Sequence, residues 1–375
     1  MSFIGASWFI LEATGSNSSV GSLLALTLFA GLVTFPFSGM IADRFNRRQV
    51  LWWSNLVRGI IITAVAATIL TGSFKTPYLY FLVIVAGAGW SVFVPASRGL
   101  VQELVPQDEL IKGNSLAEIS MQAGMFMAAA ACGVIYKYLG FAAILLIDAA
   151  TFFVSNYFLA KIRYDAIVAH DRHEPFYKQF SNGLKFLVQN PFIFGFGVMM
   201  FLPFVATMTS NVVLPGYVRG YLHQDSVVFG LADMSYGVGA CLSGFIAISL
   251  AARLTRNRGV ILFFIASIAS LVFLVFNRHV AGLYAASVVF GLCNSSIRIL
   301  LQTTAMEVTP KEFFGRAMSV WMAFSMAMQV ASTYGVGRLM DAVSTNFGFL
   351  LLAAIMAIGL AGAGYFMVRQ CPPLL

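Results

Sequence analysis

Charge is what this 375-residue chain has least of: Asp, Glu, Lys and Arg together make up 10% of it. A water-soluble domain carries about 25% charged residues. That shortage, beside 59% apolar residues and a mean hydropathy of +0.84, excludes a fold bathed in water on every side. Histidine is also scarce. His170, His173, His223 and His279 all fall in polar stretches with no nucleophile–His–acid spacing around them, which argues against an enzyme. No GxxxxGK[ST] phosphate loop occurs, so pumping would have to draw on an ion gradient. Four cysteines occur, Cys132, Cys241, Cys293 and Cys371, and none has CxxC spacing. They read as small apolar thiols, and no metal or cofactor is expected. The segment 170–173 (HDRH) reads as a solvated loop before a metal site.

What the chain does have is long apolar runs. They last about 20 residues, the length at which a helix crosses a bilayer, and they do not alternate as barrel strands would. Without water in the bilayer core, backbone groups must pair within each span, so the spans are helices. One partial run, 1–13, precedes eleven full ones at 20–41, 49–70, 78–95, 113–135, 141–160, 191–214, 227–251, 259–276, 281–301, 316–339 and 347–368. The short start lacks the basic region of a signal peptide.

Basic residues set an orientation. If the loop with Arg44, Arg47 and Arg48 is cytoplasmic, strict alternation puts 17 of the 23 Lys and Arg on that side and 5 on the other, with Arg58 inside a span. That is a positive-inside pattern. It accounts for the net charge of +8 without a nucleic-acid partner. The longest polar connection, from Arg163 to about Asn190, divides the chain into 1–162, a linker 163–190, and 191–375. Within the linker, 176–188 has Phe176, Phe180, Leu184, Leu187 and Val188 at helical spacing, as in a helix lying on the inner membrane surface. The central loop and the C-terminus are then cytoplasmic, in a multi-pass protein of a plasma membrane, with a bacterial inner membrane expected.

The halves repeat weakly. Arg98 and Gln102 match Arg298 and Gln302, each pair followed by a proline–acid turn, and Arg44 aligns with Arg253 while Asp43 becomes Ala252. Two six-span halves in parallel repeat are an arrangement known for transporters. The stretch 39–48, GMIADRFNRR, resembles the GxxxDRxGRR loop of the major facilitator superfamily, with Asn46 where that family usually has Gly; Asn also tolerates a left-handed turn. GLKFLVQNP (183–191) and TPKEFFGRAMSVW (309–321) resemble the branch that holds the enterobactin exporter and macrolide efflux pumps. The resemblance covers the chain from about Ile4 onward. It implies an all-α membrane fold of two pseudo-symmetric six-helix halves, the first helix incomplete. It also implies a monomer that moves a small amphipathic molecule, siderophore-like or drug-like, by proton-coupled alternating access.

In the resembled family the motif is a conformational latch, which here would be Gly39, Asp43, Arg44, Arg47, Arg48 and Arg98, reaching the region of Arg316. The alternative is that these arginines only set topology. Two departures stand out. The fifth span, AGMFMAAAACGVIY (123–136), lacks the proline of the antiporter signature, and the first span starts later than in the branch. The second prompts a runner-up reading, a transport-inactive or regulatory protein with a shortened first helix.

Ionisable side chains at span depth cost roughly 2.5–3.5 kcal/mol on insertion scales and mark functional candidates. Arg58 and Asp148 lie at comparable depth in the third and sixth spans and are expected to pair. The fifth and eighth helices line the cavity in the resembled family, which makes Asp233 and then Glu118 the proton-coupling candidates. A hydrogen bond from Ser235 or Tyr236 is the plainer reading of Asp233. Arg298 is expected to snorkel or pair with Glu307. Asn211, Tyr236, Asn294, Gln122 and Trp321 are the candidates for lining a substrate cavity, although each aromatic is more often packing than ligand contact.

Overall fold

A computed structural model describes residues 1–106, 109–162, 176–253 and 256–369. Among the described residues the structure is helical, with no strand. The order is α1 (Ser2–Thr14), α2 (Asn17–Arg44), α3 (Arg47–Leu70), α4 (Thr76–Leu104), α5 (Leu110–Lys161), α6 (Phe176–Gln189), α7 (Pro191–Gly216), a π-turn (Tyr217–Tyr221), α8 (Ser226–Arg253), α9 (Arg256–Phe276), α10 (Val280–Val308), α11 (Lys311–Ala342) and α12 (Phe347–Arg369). Among the described residues, nine helical stretches are long and apolar enough to cross a membrane. One of them, Ala123–Lys161, runs through two of the expected spans, and the break between them falls at Gly140 (φ 78°, ψ 179°). A left-handed φ of that kind is open to glycine and strained for other residues. The long α11 is not among the nine; it buries Ser325, Gln329 and Thr333 on one face.

Local chemistry explains where the helices begin and end. Ser16 caps α2 by accepting from the Ser19 N–H, and Gly15 ends α1 in the left-handed conformation (φ 67°). Asn46 accepts from the N–H groups of Arg48 and Gln49 and caps α3. Its φ is −55°, so the residue does not make the left-handed turn expected from the motif; it serves as an N-cap, a role Asn fills better than Gly. Pro77 and Pro191 open α4 and α7 at positions where no N–H is needed.

Apolar burial falls into two main clusters. One gathers Phe196, Phe264, Leu271, Ile297, Trp321 and Leu352 from α7 and α9–α12. The other gathers Ile10, Leu23, Ile62, Leu82 and Ile144 from α1–α5. Trp8 crosses to the first cluster, stacked on Phe229 with ring centroids 5.4 Å apart, and Val212 crosses to the second. The helix α6 shares its apolar face between two surroundings. Leu187 is fully buried, Phe186 stacks on Phe313 of α11 at 4.5 Å, and Leu184 and Val188 stay exposed. A Cβ on Gly183 would stand 2.5 Å from the Arg316 carbonyl oxygen, so α6 is docked against α11 as well as presenting apolar side chains outward.

Candidate functional site

Two helix pairs bring the clusters together, and both close at the same end of the molecule. In the α2/α11 seam a Cβ on Gly21 would stand 2.5 Å from the Thr333 carbonyl oxygen and 3.2 Å from the Gly337 Cα. In the α5/α8 seam a Cβ on Gly230 would stand 2.6 Å from the Ala129 carbonyl oxygen and 3.1 Å from the Gly133 Cα. Only glycine lets backbones approach so closely. Polar contacts lie over both seams. Asp341 accepts from the N–H and side-chain amide of Asn17 (2.8 and 2.9 Å), and Lys137 meets Asp225 at 2.6 Å. Towards the other end of α5 and α8 the packing loosens: a Cβ on Gly124 or Gly244 would meet nothing within 4 Å, and Met125 and Met127 are exposed.

Between the ends lies a polar cluster on α7, α8 and α10. The Thr207 hydroxyl is 3.0 Å from the Tyr236 hydroxyl and 3.1 Å from Asn294 Oδ1, and Asn294 Nδ2 donates to the Pro203 carbonyl at 2.9 Å. Asn211 Nδ2 lies 3.4 Å from the Thr207 carbonyl. Arg298 stacks over the Phe204 ring at 4.8 Å and lies within electrostatic reach of Tyr236. Asp233 shares a helix face with Gly230 and Gly237, so it sits one turn below the closed α5/α8 seam. It is half-buried, and among the described residues it has no hydrogen bond or ion pair. Tyr236 and Cys132 are its electrostatic neighbours.

Several expectations are corrected by this geometry. Arg58 and Asp148 do not form an ion pair. The Arg58 guanidinium donates to Asn55 Oδ1 (2.9 Å) and the Ser54 carbonyl and lies between Phe93 and Phe152, while Asp148 accepts from the N–H (3.0 Å) and hydroxyl of Ser2 at the start of α1. Intrahelical acceptors and ring faces reach Arg58 first. Trp321 is enclosed, 1% exposed, with Gly197 of α7 against its indole, so it packs the core and lines no open cavity. Asn294 is likewise fully buried and spends its amide on helix–helix contacts. Glu307 pairs with Arg256, not Arg298. Neither Ser235 nor Tyr236 bonds Asp233; Ser235 bonds the Leu231 carbonyl and Tyr236 turns to Thr207.

Around the expected latch, Arg47 pairs with Glu103 at 3.2 Å and lies on Gly99 of α4, and Arg48 donates to the Ile162 carbonyl at 2.6 Å. Arg98 is next to Gly99 on α4. Sequence reasoning missed Glu103, whose only signal is a carboxylate at the helix end that follows Arg98. The side chains of Gly39, Asp43, Arg44, Glu118 and Gln122, and the loop with His170 and His173, lie outside the described residues.

Known proteins support one family. Residues 1–372 match the family described as transmembrane secretion effector. The enterobactin exporter of Salmonella typhimurium is 23% identical over 376 residues, covering 96% of this chain and 88% of that protein. A Bacillus subtilis (strain 168) protein named for bacilysin export is 24% identical over 295 residues, covering 77% of this chain and 72% of the relative. The nucleoside transporter NupG superposes with a TM-score of 0.71 at 13% identity, over 98% of this chain and 94% of that one, a likeness of fold. With its helical architecture and a family match along nearly its whole length, the chain belongs to the transmembrane secretion effector family of major facilitator transporters, membrane carriers and not enzymes.

Proposed function

We propose that this carrier exports a small amphipathic molecule from a bacterial cell by alternating access, coupled to protons through Asp233, with Glu118 as a second carboxylate on the path. The halves 1–162 and 191–375 move against each other, joined by the linker 163–190. On the positive-inside reading the basic ends face the cytoplasm, which makes the end closed by the two glycine seams the outer one. The observation that carries this reading is Asp233, an unpartnered carboxylate one turn below a closed seam. A carboxylate there changes charge on taking up a proton, and the charge state bears on whether the surrounding helices close over it. Exporter relatives support the direction. The aromatic rings of Phe204 and Tyr236 together with the Asn211 amide suit an amphipathic cargo.

The test uses everted membrane vesicles and a panel of fluorescent amphipathic dyes, siderophores and peptides. Wild-type protein should accumulate at least one of them, and collapsing the proton gradient should stop it. Asp233→Asn should lose gradient-driven accumulation while keeping downhill exchange. Accumulation that survives both the uncoupler and Asp233→Asn would refute proton coupling at this residue.

A further inference from the structure

The two seams share a register but differ at one rung. On α11, Thr333, Gly337 and Asp341 are spaced by four residues; on α5, Ala129, Gly133 and Lys137 repeat that spacing. On the facing helices Asn17 and Gly21 correspond to Ser226 and Gly230. The first two rungs do the same work in each seam, backbone against glycine. The last rung is a carboxylate in one seam and an ammonium in the other.

That inversion makes the closures unequal. Asp341 crosses its seam to the start of α2. It accepts from the N–H of Asn17 (2.8 Å) and Ser18 (2.8 Å), the Asn17 side-chain amide (2.9 Å) and the Ser16 hydroxyl (2.6 Å). Those N–H groups belong to the unpaired first turn of a helix, where a carboxylate is held by both hydrogen bonds and the helix dipole. Parting α2 from α11 breaks all four bonds and leaves donors without an acceptor. At the other seam the cap is local: Asp225 accepts from Val227 and Val228 at the start of its own helix, at 3.1 and 3.2 Å. Parting α5 from α8 leaves that cap in place. It costs the Lys137–Asp225 pair, whose side chains are 45% and 43% exposed, and the bond from the Ser226 hydroxyl to the Gly133 carbonyl (2.9 Å). An exposed ion pair contributes little once water can replace it.

We propose that Asp341 is the positioning residue that holds the α2/α11 seam as the hinge of this end, so that opening begins at the α5/α8 seam. The inference rests on the alternating-access reading above for its meaning, but its test needs no substrate. In a background with Cys132, Cys241, Cys293 and Cys371 replaced, spin labels at 13, in the last turn of α1 just before α2, and at 343, just after α11, report the α2/α11 seam, and labels at 138 and 224 report the α5/α8 seam. Pulsed electron–electron double resonance on the full chain in lipid nanodiscs reads both distances.

In wild type, the long-distance population at 138/224 should exceed that at 13/343. Lys137→Gln should enlarge the first population and leave the second unchanged. Asp341→Asn should raise the 13/343 population about fivefold, the effect of losing one good helix cap, and Asp341→Glu should restore it in part. Equal opening of both seams in wild type, or an Asp341→Asn protein whose 13/343 distances match wild type, overturns the proposal. A wild-type protein that transports nothing would sink the transport reading and leave these distances to decide this one.

Discussion

Gly197→Ala is the sharpest test of how the α7–α12 core is built. A methyl group on Gly197 would overlap Trp321 at Cε2, Nε1 and Cδ2, and Trp321 is 1% exposed, so its ring has nowhere to go. Overpacking of this kind costs typically 1–3 kcal/mol, and a rigid indole met at three atoms belongs at the upper end, about 3 kcal/mol. Trp321→Phe alone removes buried ring and should cost roughly 1–2 kcal/mol, less than the 3–5 kcal/mol of truncation to Ala. Combined, the new methyl fills the space left by the smaller ring, and the pair should recover about 2 kcal/mol relative to the sum of the singles. Thermal unfolding of detergent-solubilised protein, followed by tryptophan-independent thiol labelling, checks the order: wild type, then Trp321→Phe, then the double variant, then Gly197→Ala. A Gly197→Ala protein that melts with wild type, or a double variant no better than the sum of its parts, refutes the packing account. The same variants bear on transport: flux per folded molecule should be unchanged in Trp321→Phe, because the indole packs and does not face cargo.

Two further outcomes follow from the polar contacts. A double-mutant cycle on Arg58→Met and Asp148→Asn should show a coupling of about 1 kcal/mol or less, against the 3–5 kcal/mol of a broken buried pair; a coupling in the larger range would restore the ion pair that the distances exclude. The closed end should loosen on acidification. The Lys137 ammonium, bonded to Asp225, holds that carboxyl below the usual aspartate range. At Asp341 partial burial pushes the carboxyl up, but the donors of Ser16, Ser18 and Asn17 outweigh it and leave it below its ordinary value. A depressed carboxyl adds stability that is complete above its ordinary value and is lost as pH falls through the folded one. Lys137, the cation bonded to Asp225, keeps its charge throughout. Label distances across both seams should therefore stay constant near neutrality and lengthen below about pH 4; distances indifferent to acid would contradict the clamp.

Much of this protein was legible in the residues themselves. The scarcity of charge, the length of the apolar runs and the motif at 39–48 fix a helical membrane carrier, because lipid permits few other ways to pair a backbone. The breaks at Gly15 and Gly140 are likewise local, set by backbone conformations that glycine adopts most readily. Partners were a different matter. Arg58 and Asp148 look like a pair by depth along their helices, yet nearer groups engage both: Asn55 accepts from Arg58, and Ser2 donates to Asp148. Trp321 and Asn294 look like cavity residues by type, and helix packing encloses both. Asp341 drew no attention in the sequence, since a carboxylate at a helix end is ordinary; it gains meaning only because the fold sets it against the start of α2, more than 300 residues away. Composition and periodicity determine that a helix crosses and roughly where it ends, since those depend on the residue and its solvent. Which face meets which neighbour, and so which charge closes the molecule, is decided by tertiary packing, where a shift of one residue turns a side chain by 100° about its helix.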